Sequence, residues 1–314
     1  MRVLVTGGTG FVGSELLLKL QERGYDVYSL ERHSQIGSSK IIENRRYEIK
    51  QGDIKKACKL TQIIREIQPD VVIHLAALSS VQYSYDHPIE YVDTNLVATI
   101  NLAEACRREV KNFRKMIFTS SLYVYKDTPK ILQKEDSTPE EPNSPYGITK
   151  LAAEKYLLSL SRNHKFPAFI LRPSNIYGRK TGFDPSIVEK LITQMLQAKD
   201  EVDLGSPEQI RDFLYISDLV NACIKLMEST SIIPGQIFNI STSTPTTLLE
   251  LADKVAEHTE FKNKIRWNSS SIPSRPGDPK WLVADNTKAK NMLGWEHEVS
   301  LDDGIQQTIA KCRR

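Results

Sequence analysis

The stretch RVLVTGGTGFVG, residues 2–13, decides the fold class of this chain. Its apolar run Arg2–Thr6 predicts a short strand, and the glycines of Thr6–Gly13 follow at once. The segment Gly10–Arg23 then has the apolar period of a helix. A strand, a glycine turn and a helix in this order are typical of the first unit of a parallel α/β sheet.

The same alternation of short apolar runs and helical segments continues through the first half of the chain. Strands are predicted at Arg2–Thr6, Asp26–Leu30, Tyr47–Lys50, Val71–Leu75, Lys115–Ser120 and Ala168–Arg172. Helices are predicted at Gly10–Arg23, Leu60–Ile67, Ile89–Arg107 and Pro145–Arg162. The third helix is expected to place on one face Ile89, Val92, Leu96, Ile100 and Ala103. This pattern predicts an α/β protein with a Rossmann-type, doubly wound parallel sheet.

The pattern changes after Arg172, where loops rich in Pro, Gly and Lys begin. A smaller C-terminal α/β substrate-binding lobe is expected from residues 173–209 and 241–314. The dinucleotide-binding Rossmann domain would cover residues 1–172. The chain would rejoin it at about 210–240, because Arg211–Met227 again has the pattern of a strand and a helix.

Composition excludes several classes of protein. The 314 residues carry 42 Lys and Arg against 39 Asp and Glu, a formal net charge of +3, so no nucleic-acid partner is expected. No apolar run approaches the ~20 residues of a membrane helix, and the amino terminus lacks a signal peptide pattern, so we expect a cytoplasmic protein without a membrane partner. No metal site or disulfide framework is predicted from the spacing of Cys58, Cys106, Cys223 and Cys312.

The glycine loop predicts a dinucleotide site. Gly7, Gly10 and Gly13 let the backbone turn sharply and approach a pyrophosphate, and the N–H groups at the start of the helix, at Phe11 and Val12, favour negative charge. A glycine triplet by itself is also compatible with a plain β-α turn. Its position between a strand and a helix favours the dinucleotide interpretation.

Two neighbouring residues bear on the choice of dinucleotide. Glu31 ends the second predicted strand and can accept hydrogen bonds from an adenosine ribose, which favours NAD. Arg32 follows it and could pair with the extra phosphate of NADP. After the third strand, Asp53 and Ile54 are predicted to lie by the adenine, although an aspartate that caps the next helix is an equally simple interpretation for Asp53.

A proton-transfer set is predicted from Tyr146 and Lys150, which lie four residues apart and so on one side of a helix. A tyrosine with an ordinary pKa near ~10 is a poor base, so a nearby cation is required to favour its phenolate. Ser120 and Ser121 end a predicted strand at the sheet edge where such folds bind ligands, and a hydroxyl there could hold the reacting oxygen.

The chain resembles, over nearly its whole length, the extended short-chain dehydrogenase/reductases that act on nucleotide sugars. The resemblance rests on several motifs in the right order: Thr6–Gly13, His74-Leu75-Ala76-Ala77, Ser120-Ser121, Tyr146-x-x-x-Lys150, 171–178 (LRPSNIYG), Arg211-Asp212-Phe213 and 275–278 (RPGD).

The resemblance implies roles for residues at matching positions. Tyr146 would be the general base or acid on a sugar hydroxyl, Ser121 its hydrogen-bonding partner, and Lys150 a ligand of the nicotinamide ribose. The diphosphate of the sugar nucleotide would bind Asn175, Arg211 and Arg275. Further contacts with the cofactor are expected from Leu75, Ala76 and Ala77. Ser79 and Ser80 would face the nicotinamide or the sugar. The resemblance also implies a homodimer that pairs the helices Ile89–Arg107 and Pro145–Arg162.

Two departures from the family pattern narrow the reaction. The family's 4,6-dehydratases carry an Asp/Glu pair where this chain has Leu122 and Tyr123, so water elimination lacks its proton carriers. Tyr123 is also bulkier than the residue usual in epimerases. The bulk of Tyr123 affects the shape of the sugar pocket and so the choice of substrate. Because Ser121, Tyr146 and Lys150 are all present and the dehydratase pair is missing, we expect a nucleotide-sugar 4-epimerase. The alternatives are an NADPH-dependent reductase of a 4-keto sugar nucleotide, a 4,6-dehydratase and a non-catalytic dinucleotide sensor.

Overall fold

The computed structural model describes residues 1–32, 47–178, 185–197, 201–269 and 277–313. Its strands are β1 (Arg2–Thr6), β2 (Asp26–Glu31), β3 (Tyr47–Gln51), β4 (Val71–His74), β5 (Lys115–Thr119), β6 (Ala168–Pro173), β7 (Asn175–Tyr177), β8 (Glu201–Asp203), β9 (Ile210–Arg211), β10 (Phe213–Tyr215), β11 (Ile237–Ile240), β12 (Thr246–Thr247), β13 (Lys264–Arg266) and β14 (Trp281–Leu282). Its α-helices are α1 (Phe11–Glu22), α2 (Ala57–Ile67), α3 (Val81–Asp86), α4 (Pro88–Tyr91), α5 (Ala98–Glu109), α6 (Pro145–His164), α7 (Ile187–Gln197), α8 (Ile216–Glu228), α9 (Leu248–Thr259), α10 (Thr287–Leu293) and α11 (Leu301–Cys312).

A seven-stranded sheet with the order β11-β6-β5-β4-β1-β2-β3 forms the centre of the fold. The neighbours from β3 to β6 pair in parallel, with Val3 opposite Val27 on one side and Val71 on the other. This is the strand order of a Rossmann sheet with one further strand at its edge. The predicted fold class is confirmed, and each predicted strand ends within one residue of its place in the structure.

The burial of the strands follows from their positions in the sheet. Val3, Leu4 and Val5 are 0% exposed, and β4 is buried along its whole length. Strands that are covered by helices on both faces need continuous apolar runs, which is the pattern of β1 and β4. The edge strand β3 is largely exposed and carries charged residues, as expected where one side of a strand is unpaired.

The predicted helix Ile89–Arg107 is present, but it is not a regular α-helix throughout. It consists of α4, a π-helical segment at Val92–Val97 and α5, which follow one another without a break. The predicted apolar face is only partly buried, because Ile89 is 71% exposed and Val92 37% exposed. Polar residues take part in the buried side, including Asn95 and Thr99, which hold hydrogen bonds there. A hydrophobic pattern cannot reveal a buried side of this kind.

The seventh strand, β11, was not predicted, and the strand expected near Arg211 does not join the main sheet. Instead, β9 pairs with β12 and β14, and β10 pairs with β7. Asp212 lies between β9 and β10, and its buried carboxylate accepts hydrogen bonds from Ser174 and Ser241 at 2.8 and 2.6 Å. These contacts hold β9 and β10 in the small sheets that they form with β12, β14 and β7.

The chain divides into two compact units. The first contains Met1–Val124, Ser144–Arg172 and Val220–Phe238, and the second contains Tyr125–Asn143, Pro173–Leu219 and Asn239–Arg314. In the second unit α7, α9 and α11 pack together beside the small sheets. The domain boundaries expected from the sequence stay a prediction. Across the described part of the chain, no helix combines the length and apolar character needed to span a bilayer.

Candidate active site

The glycine loop forms a tight cradle between β1 and α1. Gly7 has φ +73°, and a Cβ there would lie 2.9 Å from the backbone nitrogen of Ala76. A Cβ at Gly13 would lie 2.1 Å from the carbonyl oxygen of Gly7. Gly10 offers no capping side chain, and the first turn of α1, which begins with Phe11 and Val12, contains no acid. The loop therefore has no room for a side chain at Gly7 or Gly13, and α1 carries no acidic residue of its own in its first turn.

Glu31 lies against this loop at the end of β2. Its buried carboxylate accepts hydrogen bonds from the backbone nitrogen and the hydroxyl of Thr9, at 3.0 and 2.7 Å, and from the hydroxyl of Ser29. The carboxylate thus orders the loop as well as presenting charge beside it. Arg32, the next residue, is exposed.

The structure places Asp53 and Ile54 after β3, at the turn that leads to α2. The Asp53 carboxylate accepts a hydrogen bond from the backbone nitrogen of Lys55 at 2.9 Å, and Ile54 is buried. Asp53 therefore stabilises the local turn. It does not cap α2, whose N-cap residue is Lys56, so the capping interpretation is wrong and the contact with adenine stays a prediction.

The loop after β4 contacts the glycine loop through a buried histidine. His74 Nδ1 lies 2.7 Å from the hydroxyl of Thr6, which also accepts a hydrogen bond from the nitrogen of Ala76 at 3.2 Å. His74 Nε2 lies 2.9 Å from the hydroxyl of Thr99, which donates its own proton to the carbonyl of Asn95. The His74 ring must therefore donate from Nε2 and accept at Nδ1. Burial, and secondarily the charge of Lys150, lower the pKa of His74 to about 3, so it is neutral.

Asn95 extends this network to the helix that carries the predicted proton-transfer set. Its amide holds the backbone of Leu78 by two hydrogen bonds of 2.9 and 3.0 Å, and its nitrogen reaches the hydroxyl of Thr149 at 3.5 Å. Thr149 in turn donates to the carbonyl of Tyr146 at 2.9 Å. Because Asn95 lies in the π-helical segment, the irregular helix is what brings its amide to Leu78 and α6.

The remaining residues of the loop after β4 have local roles. Leu75 donates to the carbonyl of Thr6 at 3.2 Å, and Ala77 is half-buried. Ser79 is exposed, whereas the hydroxyl of Ser80 caps α3 by accepting from the nitrogen of Tyr83. The Ser80 hydroxyl is thus engaged within the protein.

Tyr146 and Ser121 lie together, as the sequence predicts. Pro145 begins α6 and Ser144 caps it, so Tyr146 stands in the first turn. Tyr146 is 7% exposed, and Ser121 hydrogen-bonds its phenol. The Tyr146 ring also packs edge to face against Tyr91 at 6.3 Å and Tyr123 at 6.1 Å. Burial raises the pKa of Tyr146 to about 12, and the bond from Ser121 opposes that rise.

Lys150 lies one turn further along α6 and is also buried. Its ammonium donates to the carbonyl of Thr119 at 2.8 Å and lies 4.8 Å from the centre of the Phe118 ring. Burial lowers the pKa of Lys150 to about 7, while the Glu154 carboxylate raises it. The lysine therefore changes charge near neutral pH.

Several features of the first unit fit a dinucleotide. The cradle at Gly7 and Gly13 excludes any Cβ, and the end of α1 favours a phosphate. Among the described residues, the hydroxyls of Thr119 and Ser120 are buried without a hydrogen-bond partner, beside the backbone that holds Lys150. A bound polar group would satisfy such atoms.

No cluster of three His, Cys, Asp or Glu side chains suited to a metal occurs in the described ranges.

Two predicted substrate residues lie in the second unit. The backbone nitrogen of Asn175 donates to the carbonyl of Asp212 at 3.0 Å, so Asn175 and Arg211 stand on neighbouring segments. Arg211 is 4% exposed, and its guanidinium donates to Asp278 at 3.0 Å and to the carbonyl of Ile210 at 2.9 Å. The third predicted residue, Arg275, lies outside the described residues.

The order of these motifs agrees with a protein family described as GDP-mannose 4,6 dehydratase, whose model matches residues 4–308. The chain belongs to this family. It is an enzyme of the extended short-chain dehydrogenase/reductase type, which confirms the resemblance recognised in the sequence.

Known members of the family include both epimerases and dehydratases. The chain is 32% identical to a UDP-glucose 4-epimerase from Mycolicibacterium smegmatis, over 98% of this chain and 97% of that protein. It is 28% identical to a dTDP-glucose 4,6-dehydratase from Salmonella typhimurium, over 98% and 92%. The crystal structure of a UDP-glucuronic acid 4-epimerase from Bacillus cereus, in complex with UDP-glucuronic acid and NAD, superposes with a TM-score of 0.87 at 30% identity, covering 99% and 98% of the two chains.

Sequence reasoning missed the polar residues that order the site. Asn95, Thr99 and Thr149 link the loop after β4 to α6, and Thr9 ties Glu31 to the glycine loop. Only a motif comparison could have indicated Asn95, because a single asparagine in a predicted helix carries no pattern of its own. The assignment of individual site residues to cofactor or substrate stays a prediction.

Proposed function

We propose that the protein is a nucleotide-sugar 4-epimerase that works through transient oxidation at C4 of the sugar. The observation that carries this proposal is the buried Ser121, Tyr146 and Lys150 set, together with a site that has Leu122 and Tyr123 where a dehydratase needs two acids. The family and its epimerase members support it, since the chain matches them along its whole length.

Tyr146 would take the proton from the C4 hydroxyl of the sugar and return it after inversion. NAD, when bound, supplies the hydride acceptor for C4 and adds positive charge beside the phenol. Ser121 would hold the reacting oxygen next to Tyr146, because its hydroxyl is close enough to the phenol to lower the pKa of Tyr146 through a hydrogen bond. Because burial holds the pKa of Tyr146 near 12 in the protein alone, deprotonation requires nearby cations, and the Lys150 ammonium is one of them.

NAD is the cofactor that fits this site. Gly7, Gly10 and Gly13 would accept its pyrophosphate, and the Glu31 carboxylate would face the adenosine ribose. The three hydrogen bonds on Glu31 keep a negative charge in place there, which disfavours the additional phosphate of NADP near Arg32. Asp53, Ile54 and the loop 75–77 would complete the cofactor contacts.

The remaining predicted residues would bind the substrate. Ser79 and Ser80 would lie toward the nicotinamide or sugar, and the Ser80 hydroxyl could donate to a ligand while it accepts the cap bond from Tyr83. Asn175, Arg211 and Arg275 would bind the diphosphate, because guanidinium groups suit phosphate oxygens. The Asp278 carboxylate already orients one edge of the Arg211 guanidinium.

The direct test is to incubate the purified protein with UDP-glucose, UDP-galactose and their N-acetyl and uronate analogues. We expect C4 inversion of at least one of them, detected by chromatography or NMR of the sugar nucleotide. Released nucleotide should be NAD, because an epimerase regenerates its cofactor in each cycle. Absence of inversion with every substrate would contradict the proposal.

A second candidate, a one-way reductase of a 4-keto sugar nucleotide, is favoured by one observation. The Tyr123 ring packs edge to face on Tyr146 at 6.1 Å, and a side chain of this size would leave a keto sugar less space to turn before its reduction on the other face. A reductase must exchange its cofactor at each turnover. Weakly bound NADPH, consumed stoichiometrically with a 4-keto sugar nucleotide, would support this second function.

We also propose a cytoplasmic homodimer formed through the helical segments near α4 and α6. These elements pack together in the first unit, and Ile89, Val92, Val97 and Ile148 are each at least 37% exposed there. Exposed apolar side chains of this number favour association. Sedimentation at micromolar concentration should therefore show a species of twice the chain mass of 35.6 kDa, and monomer alone would contradict the proposal.

A further inference from the structure

A pair of opposite charges is completely buried one helical turn beyond Lys150. Glu154 on α6 and Arg172 on β6 are both 0% exposed. The Arg172 Nε lies 3.0 and 3.2 Å from the two Glu154 oxygens, and a second guanidinium nitrogen also donates to Glu154. The two side chains therefore form a bidentate ion pair inside the first unit.

Such a pair needs an explanation other than stability. Removing two charges from water costs about as much as their attraction returns, and apolar residues of similar volume often stabilise a core equally well. The neighbouring core supplies apolar packing in abundance, including Ala153, Leu157 and Ile170. The pair therefore calls for a role that apolar residues could not fill.

The position of Glu154 relative to Lys150 indicates that role. The two residues are four apart on α6 and both point into the protein, so the carboxylate interacts with the ammonium in a medium that screens charge poorly. Without an anion, burial by itself would drive Lys150 to its neutral form. Arg172 supplies the cation that pairs with Glu154 in the core, where a buried charge without a partner would be costly.

Among the described residues, the other titratable groups around Lys150 do not supply a compensating anion. His74 on β4 interacts with the Lys150 charge but is neutral. Tyr146 on α6, with Tyr91 on α4 and Tyr123 packed against its ring, is a neutral phenol below its pKa of about 12. On α5, the carboxylate of Glu104 is bonded to Arg107, Arg108 and Tyr156. Glu154 is thus the anion that acts on Lys150 from within α6.

We propose that Glu154 is a positioning residue for the reaction, which favours the ammonium form of Lys150, and that Arg172 serves to hold the Glu154 carboxylate in place in the core. The proposal rests on the proposed function only in assuming that the reaction needs the Lys150 ammonium beside Tyr146. The charge on Lys150 can be measured without any substrate, so a failure of the proposed function and a failure of this proposal are distinguishable.

The test is a titration of Lys150 in the full-length protein labelled with ¹³C-lysine, its signal assigned by its loss in Lys150→Met. In Glu154→Gln, which removes the anion and leaves the Arg172 cation, we expect the pKa of Lys150 to fall by about one unit. The double variant Glu154→Gln/Arg172→Met removes both charges and should fold more readily than Glu154→Gln alone. In this double variant we expect the pKa of Lys150 to fall by less than in the single variant. Arg172→Lys should leave the pKa close to that of the wild type.

Activity gives a second readout. Turnover should decline as pH rises through the pKa of Lys150, because the ammonium is then lost. In the pH profile of kcat/KM, the apparent pKa of the falling limb at high pH should be lower in Glu154→Gln than in the wild type. The difference should equal the change in the pKa of Lys150 measured by NMR. Glu104→Gln is the matched control, since it removes a paired carboxylate on α5 that contacts α6 through Tyr156. An unchanged titration of Lys150 in the folded double variant, or an equal shift in the control, would overturn the proposal.

Discussion

Replacement of Tyr146 with phenylalanine should lower kcat by about 10³-fold while the protein remains folded and retains NAD. The phenolic hydroxyl is the only group that this substitution removes, and proton transfer by a positioned side chain contributes on that order. The aromatic packing against Tyr91 and Tyr123 is kept, because the ring itself is unchanged. The measurement is turnover of whichever UDP-sugar the wild type inverts, with retained NAD quantified after denaturation.

Tyr156→Phe is the matched control for this experiment. Tyr156 lies on the same helix, and its hydroxyl donates to Glu104 at 2.9 Å, away from Ser121 and Lys150. Its loss should change kcat less than twofold and stability by about 1 kcal/mol. Turnover by Tyr146→Phe within a factor of ten of the wild type would show that another group moves the proton.

Replacement of Gly7 with alanine should weaken NAD binding by at least about 30-fold. The added Cβ would lie 2.9 Å from the nitrogen and 3.0 Å from the Cα of Ala76, so the glycine loop and the loop after β4 must separate. The positive φ of +73° adds backbone strain. Together the steric contact and the backbone strain should raise the free energy of the cofactor-binding conformation by about 2 kcal/mol. This corresponds to an increase of about 30-fold in the Kd for NAD. Calorimetry with protein freed of nucleotide measures the change.

Gly24→Ala provides a control with the same backbone conformation and no steric contact. Gly24 has φ +77°, and a Cβ there would meet nothing within 4 Å. Both variants should lose stability to backbone strain, but only Gly7→Ala should lose NAD affinity. Equal affinities in the two variants would mean that the close approach of Gly7 to Ala76 is not needed for binding.

The sequence determined most of the central sheet. Strands buried on both faces must be apolar along their length, and the helices between them must carry an apolar stripe, so β1, β2, β4, β5 and β6 are visible as patterns. The glycine loop was visible for a related reason, since Gly7 and Gly13 occupy positions where a Cβ has no room. Tyr146 and Lys150 were visible because a helix places residues four apart on one side.

The tertiary structure alone decided how polar groups are paired. Three side-chain hydrogen bonds of the site join residues 18 to 25 positions apart: Glu31 with Thr9, His74 with Thr99 and Glu154 with Arg172. No periodic pattern in the sequence connects the two partners of any of these bonds. The π-helical segment at Val92–Val97 shows the same limit, because the Asn95 amide within it bonds to the backbone of Leu78, 17 positions earlier. Hydrophobic period is a local property that a chain displays before it folds, whereas the partner of a buried charge or amide exists only once distant segments meet.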